Sequence, residues 1–417
     1  MPVLALAQTD LLRVCRDLAW SEISTMPGLS ARLGPRISPQ SDVDWSATGL
    51  ALDSLARIQL ATAAAAWCNA YDAGFEDLFL AKRSATDWAA VMLRARVSGA
   101  ANFTFATSGS TGARKHIRHR EDVLSNEAQA WANVLSAVNA NSNADDSASR
   151  PPTVGRVIVL APTHHIYGFI WGVLLPLALS VPAIDADFAD LPELLPGDLL
   201  IAVPDQWAWL AKSAKAWPAG VQGISSTAPL ADDVHRQLVD KRAGNLLAPL
   251  ARLLQIYGSS ETAGLAWRSD PVQPYTLAPG RTRSAQGGIE LLLPSGALAA
   301  MPVQDDVQWV SHSEFQLLRR ADNSVQVGGH NVSPDWVAQQ LMTHTAVKAA
   351  AVRLDTLLTP PRLKAFVVLH QPENAERQKA LEEWALSALP HYASLAGVTY
   401  GAALPQNAMG KLSDWPT

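Results

Sequence analysis

Alanine and leucine recur at helical spacing across Leu52–Ala66, and Ser84–Leu93 repeats the pattern more briefly. The chain up to about Ser98 is therefore predicted to be mostly helical. Beyond it the pattern changes. Val154–Ala161, Leu199–Val203 and Leu253–Tyr257 are short apolar runs, several rich in β-branched residues, separated by helical stretches. Strands alternating with helices predict an α/β core with a largely parallel sheet. The polar segment Asn139–Thr153, ending in Pro151-Pro152, reads as a surface loop. From Arg320 onward, short strands (Val325–Val327, Ala349–Arg353, Ala365–Leu369) accompany amphipathic helices at Pro334–Thr343 and Glu376–Leu389. The expected division is a helical N-terminal region 1–98, an α/β core 99–319 and a small α+β domain 320–417.

One apolar stretch could be misread. No Asp, Glu, Lys or Arg occurs from Val157 to Ile184, which is long enough to span a bilayer. Pro162, Pro176, Pro182 and the pair His164-His165 suit a buried strand, a turn and a buried helix better than lipid. No membrane span is expected.

Composition narrows the function. At 48% hydrophobic and 17% charged residues, the 417-residue chain fits an ordinary globular protein with room for two or three domains. A formal net charge of -5 supplies no basic field, which argues against a nucleic-acid partner. Cys15 and Cys68 match no metal-ligand spacing and read as reduced thiols in a cytoplasmic protein. Asp10 and Arg13 interrupt the apolar start, so no secretory signal is expected.

The segment Phe103–Lys115 carries the strongest chemistry. After an apolar strand it places Thr107, Ser108, Gly109, Ser110, Thr111 and Gly112 in a short turn, with Lys115 following. Glycines let the backbone approach a phosphate, hydroxyls add donors and the lysine adds charge. Arg114 stands where a Walker A loop needs glycine. A plain Ser/Gly loop would have the same composition.

Thr107–Lys115 resembles the signature loop of the acyl-adenylate-forming superfamily, with Arg114 in place of the usual proline and His119 at a matching downstream position. Further segments resemble the family in its order. Pro162–Gly168 is similar to the segment whose histidine, here His165, borders the acyl pocket. Ser225–Leu230, containing Ala228, resembles the turn along the adenine but lacks the usual glycines. Tyr257-Gly258-Ser259-Ser260-Glu261-Thr262 resembles the motif whose tyrosine stacks near adenine and whose glutamate helps hold Mg²⁺; alone it would read equally as a strand end and helix cap. Asp305 falls where the ribose-binding aspartate is expected, with Asp306 as the alternative. Arg320 and Asp322 match the nucleotide-contacting arginine and the hinge, and Gly329 the loop that approaches the thiol. Leu404–Leu412 closely resembles the C-terminal motif whose catalytic lysine is here Lys411.

The resemblance implies an α/β adenylate-forming large domain with a reduced first subdomain, followed by a small mobile C-terminal domain. It implies ATP and Mg²⁺, the metal held by Thr111 and Glu261. The implied reaction activates a carboxylic acid as acyl-AMP and passes the acyl group to a thiol of CoA or of a carrier protein. Short chains of this kind resemble ligases that load aromatic acids, such as hydroxybenzoates, in aryl polyene pathways. Ahead of this, Leu50–Ile58 with its Asp53-Ser54-Leu55 resembles an acyl carrier protein, in which Ser54 would bear 4′-phosphopantetheine; Asp-Ser is equally a good helix cap. The alternative is a catalytically degraded relative that binds nucleotide or a carrier, suggested by Arg114, Val303 and Arg319 at family positions held by other residues.

Overall fold

The computed structural model describes residues 3–26, 44–45, 50–107, 115–137, 153–187, 190–213, 217–240, 249–303, 305–320, 324–328, 330–358, 360–371, 374–405 and 412–415, without the side chains of 107, 213, 319 and 320. Contacts divide it into two compact units. The first comprises residues up to Ala106, His116–Val303 and Val307–Leu317; the second is chiefly Leu318–Thr417.

Helices open the first unit: α1 (Gln8–Ser24), α2 (Ser54–Trp67), α3 (Glu76–Ala81) and α4 (Ala85–Val97). Small polar residues set their starts. Asp53 accepts the N–H of Ala56 at 2.8 Å to begin α2, and Ser84 accepts that of Asp87 at 3.1 Å to begin α4. Ser54 is thus the exposed first helical residue, behind an Asp53 cap. Among the described residues these helices share their core with the elements that follow. Leu11, Val14, Leu60, Trp67 and Met92 share one buried cluster with Phe103, Trp131, Val157 and Ile201.

A hairpin of β1 (Asn102–Thr107) and β2 (Lys115–Arg120) leads into α5 (Glu121–Ala137). Next come β3 (Arg156–Val159), α6 (Ile166–Phe169), a π turn Ile170–Leu174 and α7 (Leu175–Leu179). The charge-free stretch is therefore a buried strand, turn and helix, as its prolines predict. Pro176 lacks an N–H, and the π turn before it is where the helical ladder changes register. Among the described residues no helix is long and apolar enough to cross a membrane.

The sheet continues through β4 (Ala183–Asp185), β5 (Asp198–Ala202), α8 (Pro204–Ser213), β6 (Gln222–Ser225), α9 (Asp232–Val239) and β7 (Arg252–Ser259). Strands β4, β3, β5, β6 and β7 lie side by side and parallel. Expectation and structure then part. Strand β8 (Ala263–Arg268) extends the sheet antiparallel to β7, and β9 (Tyr275–Leu277) lies antiparallel to β8. A three-stranded sheet, β10 (Arg281–Arg283), β11 (Ile289–Leu292) and β12 (Leu298–Met301), follows in sequence. Strands β13 (Asp305–Trp309) and β14 (Glu314–Arg320) complete the nine-stranded sheet at its far edge. The sheet is mixed because tight turns, not crossover helices, connect β7 through β9.

The second unit holds a hairpin of β15 (Val325–Val327) and β16 (His330–Val332), then α10 (Pro334–Met342), β17 (Val347–Asp355), β18 (Arg362–Leu369), α11 (Ala375–Ala388) and β19 (Leu395–Tyr400). Ser333 and Asn374 cap its helices through the N–H groups of Trp336 and Arg377, at 3.2 and 3.0 Å. Its buried cluster of Val337, Leu341, Val352, Leu363 and Leu381 is separate from that of the first unit.

Candidate active site

In open α/β sheets ligands bind beyond the carboxyl ends of the parallel strands. Three of the sequence-selected segments lie there. His165 follows β3, Ala228 follows β6, and Tyr257–Glu261 forms the end of β7 and the turn after it.

The β7–β8 turn is shaped by glycine. A side chain at Gly258 would meet the carbonyl oxygen of Ala263 at 1.9 Å, so no other residue fits the hairpin. Ser259 donates its N–H to the Thr262 hydroxyl at 3.0 Å, and Thr262 is buried. Between them the turn carries Ser260 and Glu261, both half-buried. The Tyr257 ring packs 5.6 Å from Tyr275 and 5.8 Å from Phe315. Glu127 of α5 braces the next strand: its Oε1 accepts the N–H of Gly264 at 3.0 Å and its Oε2 pairs with Arg281. Both side chains are 2% exposed. Periodicity gave no sign of this pair, because its partners are far apart in sequence.

His119 ties the phosphate-loop hairpin to the same turn. It stands on β2, and its Nε2 lies 2.6 Å from the carbonyl oxygen of Ser260. A carbonyl only accepts, so the ring donates Nε2–H. Burial pushes the imidazole below its ordinary range, while the Ser260 bond and the carboxylates of Glu127 and Glu261 act against that shift. The Phe105 ring of β1 lies 5.9 Å away. Thr107 and Lys115 are the ends of the hairpin strands.

The turn after β6 keeps a glycine-type backbone although it has no glycine. Thr227 has a φ of 82°, in the region that favours glycine, and is exposed. Ser226 holds the turn to β7 by donating its hydroxyl to the Ile256 carbonyl at 3.0 Å. Ala228 is half-buried beside it.

On the acyl side, half-buried His165 is the residue before α6, and its ring lies 4.0 Å from that of buried His164. Thr163 donates both its N–H and its hydroxyl to Asp17 Oδ2, at 2.7 Å each. A side chain at Gly168 would meet the Pro162 carbonyl at 2.0 Å, so glycine is required where α6 crosses that turn. The buried Tyr167 hydroxyl lies 3.0 and 2.9 Å from the carbonyls of Ala202 and Ile224. Those atoms belong to the carboxyl ends of β5 and β6.

Ser108, Gly109, Ser110, Thr111, Gly112, Asp322, Gly329 and Lys411 lie outside the described residues, as do the side chains of Thr107 and Arg320. Half-buried Asp305 opens β13. In the second unit the flanks of Lys411 are fixed. Ser413 donates its N–H to the Pro405 carbonyl at 2.8 Å. Arg353 holds the Leu412 carbonyl at 2.6 Å, and buried Lys364 holds that of Trp415 at 2.6 Å and the Asp414 carboxylate at 3.2 Å.

Residues 70–289 match the model of the AMP-binding enzyme family. The chain is 35% identical over 410 residues to a 4-coumarate–CoA ligase of Halorhodospira halophila, covering 97% of this chain and 98% of that one. The chain belongs to the AMP-binding enzyme family. A 4-coumarate–CoA ligase of Rhodobacter capsulatus is 34% identical over 376 residues, covering 88% of this chain and 90% of its own. Among solved structures, an o-succinylbenzoate–CoA synthetase of Bacillus subtilis shares the fold at a TM-score of 0.54 and 17% identity, over 74% of this chain and 67% of that one. The family membership agrees with the resemblance read from the Thr107–Lys115 loop and the segments after it.

Proposed function

We propose that the protein activates an aromatic carboxylic acid of the 4-coumarate type with ATP and transfers the acyl group to CoA. The His119–Ser260 bond carries this reading. It joins the strand after the phosphate-loop sequence to the turn presenting Glu261, at the ligand-binding end of the sheet. Likeness to the 4-coumarate–CoA ligases over nearly the whole chain supports CoA rather than a carrier protein as acceptor. Ser54 and 4′-phosphopantetheine have no part in this scheme.

In the first step a carboxylate oxygen of the acid bonds to the α-phosphorus of ATP, and the bond to pyrophosphate breaks. Both reactants are anionic, so the protein must neutralise charge and align them. The Thr107–Lys115 loop supplies N–H groups, hydroxyls and the Lys115 ammonium; Lys411 supplies a second cation. Asp305 and Arg320 serve the ribose and phosphates, while Ala228 and Tyr257 border the adenine. His165 borders the acyl group.

The chemistry of Glu261 fits Mg²⁺. Mg²⁺ needs one or two carboxylates beside substrate phosphates rather than an all-protein cage. Among the described residues no side chain donates a hydrogen bond to Glu261, and no cluster of three His, Cys, Asp or Glu forms a metal site. Glu261 and Thr111 would hold the ion, which when bound offsets phosphate charge. In the second step the CoA sulfur bonds to the acyl carbon and AMP leaves. In this scheme Asp322 is assigned as the hinge residue, Lys411 as the lysine of the first step and Gly329 as the residue that serves the thiol in the second.

Incubation with ATP, Mg²⁺, CoA and a panel of aryl and fatty acids tests the reading. A CoA thioester of 4-coumarate or a close relative, found by mass spectrometry, is expected. Thioesters of fatty acids alone would overturn the aromatic assignment.

A further inference from the structure

Helix α2 ends in Trp67-Cys68-Asn69, and this turn reaches both halves of the candidate site. Trp67 is 3% exposed. Its indole N–H donates to the carbonyl of His164, the residue before His165, at 3.0 Å. Its ring lies 4.9 Å from Phe103 of β1 and 5.2 Å from Phe169 of α6, so it stands between the two elements.

Two residues on, Asn69 holds the nucleotide side. Its side-chain N–H donates to the Asn102 carbonyl at 3.1 Å, and its Oδ1 accepts the Thr104 hydroxyl at 3.1 Å. Both partners lie on β1, the strand that runs into residues 108–114. Asn69 is 7% exposed, with a φ of 52° that asparagine tolerates better than most residues. Two residues of one turn, Trp67 and Asn69, thus fix the His165 turn and the entry strand of the phosphate loop. Packing alone would need the rings but not the donors.

We propose that the Trp67–Asn69 turn is a positioning element that sets the acid half of the site against the nucleotide half. Trp67 acts through His165 on the acid, and Asn69 acts through β1 on the nucleotide. Neither touches substrate. What the two halves bind rests on the ligase reading above; the contacts themselves do not.

The test uses the full chain with Trp67→Phe, which keeps an aromatic ring and loses the donor. Its counterpart is Asn69→Asp, which keeps the acceptor and loses the N–H. Should Asn69→Asp fold poorly, Thr104→Val removes the other hydrogen bond that ties Asn69 to β1. Two readouts are taken: KM for 4-coumarate and for ATP, and hydrogen exchange at 102–107 and 163–169 without substrate. Trp67→Phe is expected to raise KM for the acid roughly three- to tenfold, the range of one lost hydrogen bond, and to leave KM for ATP unchanged. It should speed exchange at 163–169 only. Asn69→Asp is expected to do the reverse. Equal rises in both KM values, or faster exchange throughout, would reduce the turn to ordinary packing and overturn the proposal. A wild-type chain that turns over no acid overturns the ligase reading instead. Exchange then decides alone: selective loosening sustains the positioning role, and uniform or absent change overturns it.

Discussion

The Nε2 of His119 lies 2.6 Å from the carbonyl oxygen of Ser260, so the strand after the phosphate-loop sequence and the turn bearing Glu261 are held as one piece. Because burial holds this imidazole low, it stays neutral in the folded protein at pH 7. The unfolded chain takes up the proton first as pH falls. The contribution is therefore full above about pH 6.5, the ordinary histidine value, and is lost as pH falls through that value toward the lower folded one. Glu127 and Glu261 face the ring and temper the effect. Unfolding followed from pH 8 to pH 5 should show a steeper loss in wild type than in His119→Gln, which retains an N–H donor. Parallel curves would show that His119 is not the titrating group.

Glu127 and Arg281 form a pair that is almost wholly buried. Removing one charge strands the other, at a cost of about 3–5 kcal/mol. Glu127→Gln should therefore lower the denaturation midpoint strongly. The paired change Glu127→Gln with Arg281→Met should cost less than Glu127→Gln alone, because no charge is left without a partner. A double variant as unstable as the sum of the singles would deny the coupling.

Thr227 occupies a backbone conformation that favours glycine. An exposed threonine replaced by glycine ordinarily loses stability through the unfolded state. Here relief of roughly 1–2 kcal/mol of left-handed strain opposes that loss. Thr227→Gly should leave the denaturant midpoint unchanged or raise it, and a clear fall would show that Thr227 carries no such strain.

The strongest local signals were legible in the sequence. Apolar runs located β3, β5 and β7, and the prolines of the charge-free stretch correctly argued for a buried turn. Tyr257–Glu261 could be found because glycine is sterically obligatory at 258 and leaves a mark. Other features were hidden by their physics. Strand β14 pairs with β9 from far along the chain, so that edge of the sheet had no local signature. Asp17, Glu127 and Asn69 read as ordinary helix or loop residues, yet each is buried because its partners lie 146, 137 and 33 residues away. The Asp53-Ser54-Leu55 tripeptide suggested a carrier domain. In the structure Asp53 caps a helix whose apolar face joins the core of the α/β unit.

Acid-dependent exchange of labelled pyrophosphate into ATP measures acyl-adenylate formation without the thiol step. With 4-coumarate and Mg²⁺ the wild-type chain should exchange label, and Lys411→Ala should lose exchange far more than it loses thioester formation from preformed acyl-AMP. Absence of exchange with every acid in an aryl and aliphatic panel, in folded protein that still binds ATP, would contradict adenylation as this chain's function.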